Sequence, residues 1–226
     1  MVEIKGFLET SFLDWPGKLS AVLFLPHCNF RCPYCHNHPL ILHPERHSSI
    51  SLHYVLSRLD TFRDWIYGVC ITGGEPTLHV DLPLLIREIR QNGFSVKLDT
   101  NGSNPGMLED LIETGGIDFV SMDVKSPLDP FSYRRSAGLS VDLALILRSI
   151  EILKREKVEY QFRMTVVPRL HSVNDVQQLG HQLKAGSRIV LQSFNPENPM
   201  DSSLKDIRPY DQNLLRAVEK EVQAMI

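Results

Sequence analysis

Six short apolar runs, each followed by a stretch with helical periodicity, constrain the fold of this chain more than any other feature. The runs cover residues 21–25, 69–72, 96–99, 119–124, 162–167 and 189–194, and most are continuous rather than alternating. Continuous runs mark strands whose two faces are both covered. Helix signals lie between them. Ser51 precedes a helix predicted over 52–63, and Asp81 precedes one predicted to end near Gln91. Asn104 followed by Pro105 puts a capping residue before a proline at the first helical position. Leu143, Ile146, Leu147, Ile150 and Leu153 share one helical face. Ser172 and Asp175 have the spacing of a capping box, and a last helix is predicted from near Tyr210 to the C-terminus.

Such alternation argues for an α/β architecture with a parallel sheet. A closed eight-unit barrel typically takes about 250 residues. Six units in 226 residues predict one domain, 1–226, as a flat doubly wound sheet or a partial (β/α)6 TIM-like barrel open at one side. Both forms place chemistry at the C-terminal ends of the strands.

Composition narrows the function. A net charge of −3 without charge runs argues against a general nucleic-acid binder or a protein held on anionic membranes. The longest apolar stretches are too short to span a bilayer, and the N-terminal "MVEIKGFLET" has no apolar core of a signal peptide. A cytoplasmic location is expected. Three of the four cysteines, Cys28, Cys32 and Cys35, crowd into "CNFRCPYC". Cysteines so close together read as a metal site rather than a disulfide framework. The fourth, Cys70, reads as a small buried hydrophobe on a strand.

Thiolates leave two candidates. Zinc would take the three cysteines with His36 or His38 as fourth ligand. An iron–sulfur cubane normally takes four cysteines, so three leave one iron free to bind a substrate. The loop directly follows the first predicted strand, where a catalytic cofactor belongs.

Cys-x3-Cys-x2-Cys with Tyr34 before the third cysteine resembles the signature of the radical S-adenosylmethionine (radical SAM) superfamily. The resemblance implies a full or partial (β/α) barrel and a [4Fe-4S] cluster on Cys28, Cys32 and Cys35. It also implies S-adenosylmethionine bound at the open iron and cleaved to a 5′-deoxyadenosyl radical. "GGEP" (Gly73, Gly74, Glu75, Pro76) follows the second strand and is similar to the family motif that binds the methionine amino group. Read alone, it is a strand-to-helix turn. "DTNG" (Asp99, Thr100, Asn101, Gly102) and "SMDVK" (Ser121 to Lys125) resemble motifs of glycyl-radical activating enzymes. There, aspartates bind a monovalent cation beside the cofactor carboxylate. This assigns such an ion to Asp99, Thr100 and Asp123, with the Ser121 carbonyl, and pairs Lys125 with the carboxylate. Arg163, a charge on an apolar strand, is expected against the nucleotide or an incoming peptide. Gln192 and Phe194 are expected at the same mouth, and His36 near adenine.

"FLETSFLDWPGK" before "CNFRCPYCHN" strongly resembles the activating proteins of anaerobic ribonucleoside-triphosphate reductase, which carry "CHNP" where this chain has His38. The resemblance implies radical transfer to a glycine of a partner enzyme, with a low-potential electron donor such as flavodoxin. Alternatives are an activase of another glycyl-radical enzyme, such as pyruvate formate-lyase, or a small-molecule enzyme like 7-carboxy-7-deazaguanine synthase. Asp14, Trp15, Pro16 and Gly17 read either as a packed turn or as a docking segment.

Overall fold

The computed structural model describes residues 2–183 and 186–226. Seven strands form one sheet in sequential order: β1 (Gly6–Ser11), β2 (Ser20–Leu25), β3 (Gly68–Gly73), β4 (Ser95–Thr100), β5 (Phe119–Asp123), β6 (Glu159–Val166) and β7 (Ile189–Ser193). β2 to β7 are parallel, whereas β1 pairs antiparallel with β2. β1 and β7 are the two edges, so the sheet does not close. This is the open (β/α)6 arrangement expected from the alternation.

Helices α1 (His38–Leu42), α2 (Leu52–Thr61), α3 (Leu82–Gln91), α4 (Pro105–Glu113), α5 (Pro130–Ala137), α6 (Leu143–Leu153), α7 (Val173–Leu183) and α8 (Gln212–Met225) fill the connections. The caps predicted at Ser51, Asn104 and Ser172 form, whereas Asp81 makes no side-chain cap bond to α3. Ser51 Oγ accepts from the Tyr54 amide, and Asn104 accepts from the Met107 amide. Ser172 and Asp175 bond reciprocally at the start of α7. Each satisfies a donor that the first helical turn leaves open.

The core follows from double-sided burial. Ala21, Val22 and Leu23 are all fully buried, as are Val69, Cys70 and Ile71. One face meets the helices through Leu82, Leu85, Ile86 and Ile89 of α3 and Ile146, Ile150 and Leu153 of α6. Neither β1 nor α5 was foreseen. The first is half-exposed and interrupted by polar residues, so it lacks a continuous run. The second is polar overall and held by the Asp129 cap, Pro130 at its start and left-handed Gly138 at its end. α1 was also missed, being only five residues long.

The "DWPG" segment is a structural turn. Trp15 is buried, with its ring against Tyr67 at 5.1 Å and Phe119 at 6.3 Å. Both partners stand where strands begin, so Trp15 plugs the face opposite the strand C-termini.

Candidate active site

Six strands contribute to one cavity of about 410 Å³. Its lining includes Cys28, Cys32, Cys35, Tyr34 and His36 after β2, then Gly73, Gly74 and Glu75 after β3. Asp99, Thr100 and Asn101 enter from β4, Asp123 and Lys125 from β5, Arg163 from β6, and Gln192 and Phe194 from β7. Of the predicted site residues, Pro76 and Ser121 are not on this wall; Pro76 is buried in the short turn that follows Glu75.

The cysteine loop is anchored on both sides. The Arg31 amide donates to the Ala137 carbonyl at 2.8 Å, and His36 Nε2 bonds the Asn195 carbonyl at 2.7 Å. His38 Nε2 contacts Asn198 Oδ1 at 3.3 Å. Both histidines proposed as a fourth zinc ligand are thus engaged elsewhere. Among the described residues, no group of three or more His, Cys, Asp or Glu side chains is placed to hold a single metal ion. Burial pushes the Cys28 thiol up to about 12 and the Cys35 thiol up to about 11, and raises Cys32 as well. Such thiols stay neutral at physiological pH unless a metal centre binds them. Three thiols on one cavity wall supply the ligands of a cubane cluster with one iron left open.

Close packing explains the glycines. A Cβ on Gly74 would lie 1.7 Å from the His27 carbonyl oxygen, and one on Gly73 would lie 2.4 Å from that of Leu25. The chain turns hard against the end of β2 and leaves the cavity side open. The Gly73 carbonyl already accepts from Asn37 Nδ2 at 2.8 Å. Asn37 was not foreseen as a site residue; its only signal is its place two residues past the last cysteine.

Glu75 lines the cavity but is buried, and its carboxylate is engaged by protein donors. Oε1 accepts from the Thr77 amide and from the Thr77 and Thr100 hydroxyls, and Oε2 from the Asn101 amide at 2.6 Å. Burial raises its pKa against the pull of these donors. Glu75 therefore acts as a strut that locks the β3 turn to the β4 turn. Asn101 in turn bonds Asn29 Oδ1 at 2.9 Å, which ties the β4 turn to the cysteine loop.

Asp99 and Asp123 are paired with side-chain cations. Arg163 donates from Nε to Asp123 Oδ1 at 2.9 Å and from Nη1 to Asp99 Oδ2 at 3.0 Å. Lys125 Nζ reaches Asp123 Oδ2 at 3.0 Å, and Lys97 Nζ pairs with Asp99 Oδ1. Burial alone would raise the Asp99 carboxyl, but the Arg163 and Lys97 charges outweigh it and hold it low. The same balance, with Arg163 and Lys125, leaves Asp123 at about 2. Arg163 is thus committed to two aspartates, where contact with nucleotide or peptide was expected. Ser121 is fully buried and its hydroxyl accepts from Gln161 Nε2 at 3.0 Å. Lys97 was missed, although it leaves a signal: it interrupts an apolar strand two residues before Asp99, so both share one face.

Comparison with known proteins decides the family. The radical SAM superfamily profile matches residues 22–183, well over half of the chain. The chain belongs to the radical SAM superfamily. A relative from Methanocaldococcus jannaschii is 34% identical over 222 residues, covering 96% of this chain and 90% of its own length. Its name provisionally assigns it as a glycyl-radical enzyme activating enzyme. The pyruvate formate-lyase-activating enzyme of Clostridium pasteurianum is 23% identical, with 100% of this chain and 99% of that protein covered. The structure of TYW1 with a lysine-pyruvate adduct aligns with a TM-score of 0.63 at 19% identity, covering 91% of this chain and 73% of TYW1, which shows a shared fold. Radical SAM membership makes the chain an enzyme and implies a [4Fe-4S] cluster and S-adenosylmethionine. The three thiols fit that cluster. No described helix is long and apolar enough to cross a membrane.

Proposed function

We propose that the protein, acting as a single radical SAM domain over residues 1–226, is an activase that generates a glycyl radical on a partner enzyme. The reading rests on one observation: near-complete coverage, in both directions, of relatives named as activating enzymes. The preferred partner is an anaerobic ribonucleoside-triphosphate reductase, on the strength of "FLETSFLDWPGK" and "CNFRCPYCHN". A low-potential donor such as flavodoxin supplies the electron in a cytoplasmic setting.

Cys28, Cys32 and Cys35 hold the cluster, which when bound supplies the electron that cleaves the sulfonium of S-adenosylmethionine. The residues around it bind and orient. The Gly73–Gly74 turn accepts the methionine ammonium on backbone carbonyls, a role its open side permits. Lys125, beside the cysteines, offers its ammonium to the methionine carboxylate. His36, Gln192 and Phe194 form the opposite lip, against which the nucleoside rests. The open edge between β1 and β7 admits a polypeptide segment, so that the partner's own loop closes the site and excludes water.

The test begins without the partner. Anaerobically reconstituted, reduced protein with S-adenosylmethionine should yield 5′-deoxyadenosine, and Cys35→Ala should yield none. Equal turnover by the variant would remove the cluster assignment. Adding a candidate reductase should then produce the doublet electron paramagnetic resonance signal of a glycyl radical. Its appearance only with pyruvate formate-lyase would replace the reductase as partner.

A further inference from the structure

All four carboxylate oxygens of Asp99 and Asp123 already face a side-chain cation. Lys97 and Arg163 take the two oxygens of Asp99, and Arg163 and Lys125 take those of Asp123. The group is well shielded, with Lys97 at 1% and Arg163 at 13% side-chain exposure. We propose that the Arg163 guanidinium replaces the monovalent cation that glycyl-radical activating enzymes place between these aspartates, so that this chain binds S-adenosylmethionine without an alkali-metal ion.

Geometry carries the argument. Arg163 pairs with Asp123 across the β5–β6 register, and its fork extends past β5 to reach Asp99 on β4. One planar group thus spans both carboxylates, with Nε on one and Nη1 on the other. Lys97 stands two residues before Asp99 on the same face of β4, and Lys125 follows Asp123 by two residues just past the end of β5. Three cations face two aspartates within this group, and Asp14 and Glu75 also line the cavity. An alkali ion is held by oxygen ligands, and carboxylate oxygens already bound to side-chain cations attract it less. Here those oxygens are compensated, and a further cation would sit against the guanidinium in a low-dielectric site. This proposal depends on the use of S-adenosylmethionine, not on the identity of the partner enzyme.

The test uses the cluster-bearing wild-type protein. Affinity for S-adenosylmethionine would be read from the cofactor-induced change in the electron paramagnetic resonance spectrum of the reduced cluster, in potassium, sodium or choline chloride at equal ionic strength. The proposal expects the three affinities to agree within about twofold; a loss of about tenfold or more in choline, the scale of one charge-assisted hydrogen bond, would overturn it. Crystals soaked in thallium(I), a potassium analogue, give a readout that does not require cofactor binding or turnover. No anomalous peak between Asp99 and Asp123 is expected, and a peak ligated by both would overturn the proposal. Arg163→Ala should convert the protein to potassium dependence and gain the thallium peak. If that variant fails to fold, the wild-type salt series and soak still decide. Absence of 5′-deoxyadenosine with a clean thallium result would count against the radical reaction and not against the arginine.

Discussion

His171 makes stability depend on pH in a way the structure quantifies. Its ring is buried between elements. Nδ1 accepts from the Val167 amide at 3.0 Å, so Nε2 carries the proton and donates to Ser136 Oγ at 2.8 Å. Protonating Nδ1 would set one donor against another. Burial lowers the His171 pKa from 6.5 to about 4. The unfolded chain therefore binds this proton more readily than the folded one. The stabilisation is complete above the unfolded pKa and is lost as pH falls from about 6.5 toward about 4. At about 1.36 kcal/mol per unit, the full difference is about 3 kcal/mol, of which about 2.5 kcal/mol is gone by about pH 4.5. Other carboxylates titrate in the same range, so a reference is needed. His171→Asn places an amide oxygen near Nδ1, keeps the Val167 bond and does not titrate. Urea unfolding of both metal-free proteins at about pH 7.5 and about pH 4.5 should show the wild type losing about 2–3 kcal/mol more than the variant. Equal losses would refute the neutral, Nδ1-accepting assignment.

Other substitutions separate strut from lining from plug. Glu75→Gln replaces a carboxylate oxygen by an NH2 group that must face either the Asn101 amide or the Thr77 donors. It should cost about 1–3 kcal/mol in urea unfolding and weaken S-adenosylmethionine binding through displaced Thr100 and Asn101. Trp15→Ala should destabilise by about 3–5 kcal/mol, because the site at the barrel base is closely packed. Cofactor affinity of the folded fraction should not change. A stable Trp15→Ala protein that fails only with its partner would instead make this segment a docking element.

Much of the fold was legible because parallel strands covered on both sides leave continuous apolar runs, and caps leave local signatures. The six parallel strands fall within three residues of their predicted limits. β1 escaped because an edge strand with one exposed face leaves no such run. Within the site, the cysteine loop and the turns after β3, β4 and β5 were readable from their place at strand ends. The alternation and the loop positions are local properties, set by which residues prefer which backbone and by what a strand must bury. Partner choice among charges is not local. Arg163 lies 64 residues from Asp99 and 40 from Asp123, and only the register of β4, β5 and β6 brings the three together. Glu75 likewise turned inward because the β4 turn offers it buried donors that no neighbouring residue in the sequence announces. Local sequence was enough for the six parallel strands, the caps at Ser51, Asn104 and Ser172, and the three-thiol loop. Tertiary structure decided which carboxylates face the cavity, which serve as struts, and which cations neutralise them, because in a buried site every charge must find its counterpart across the sheet.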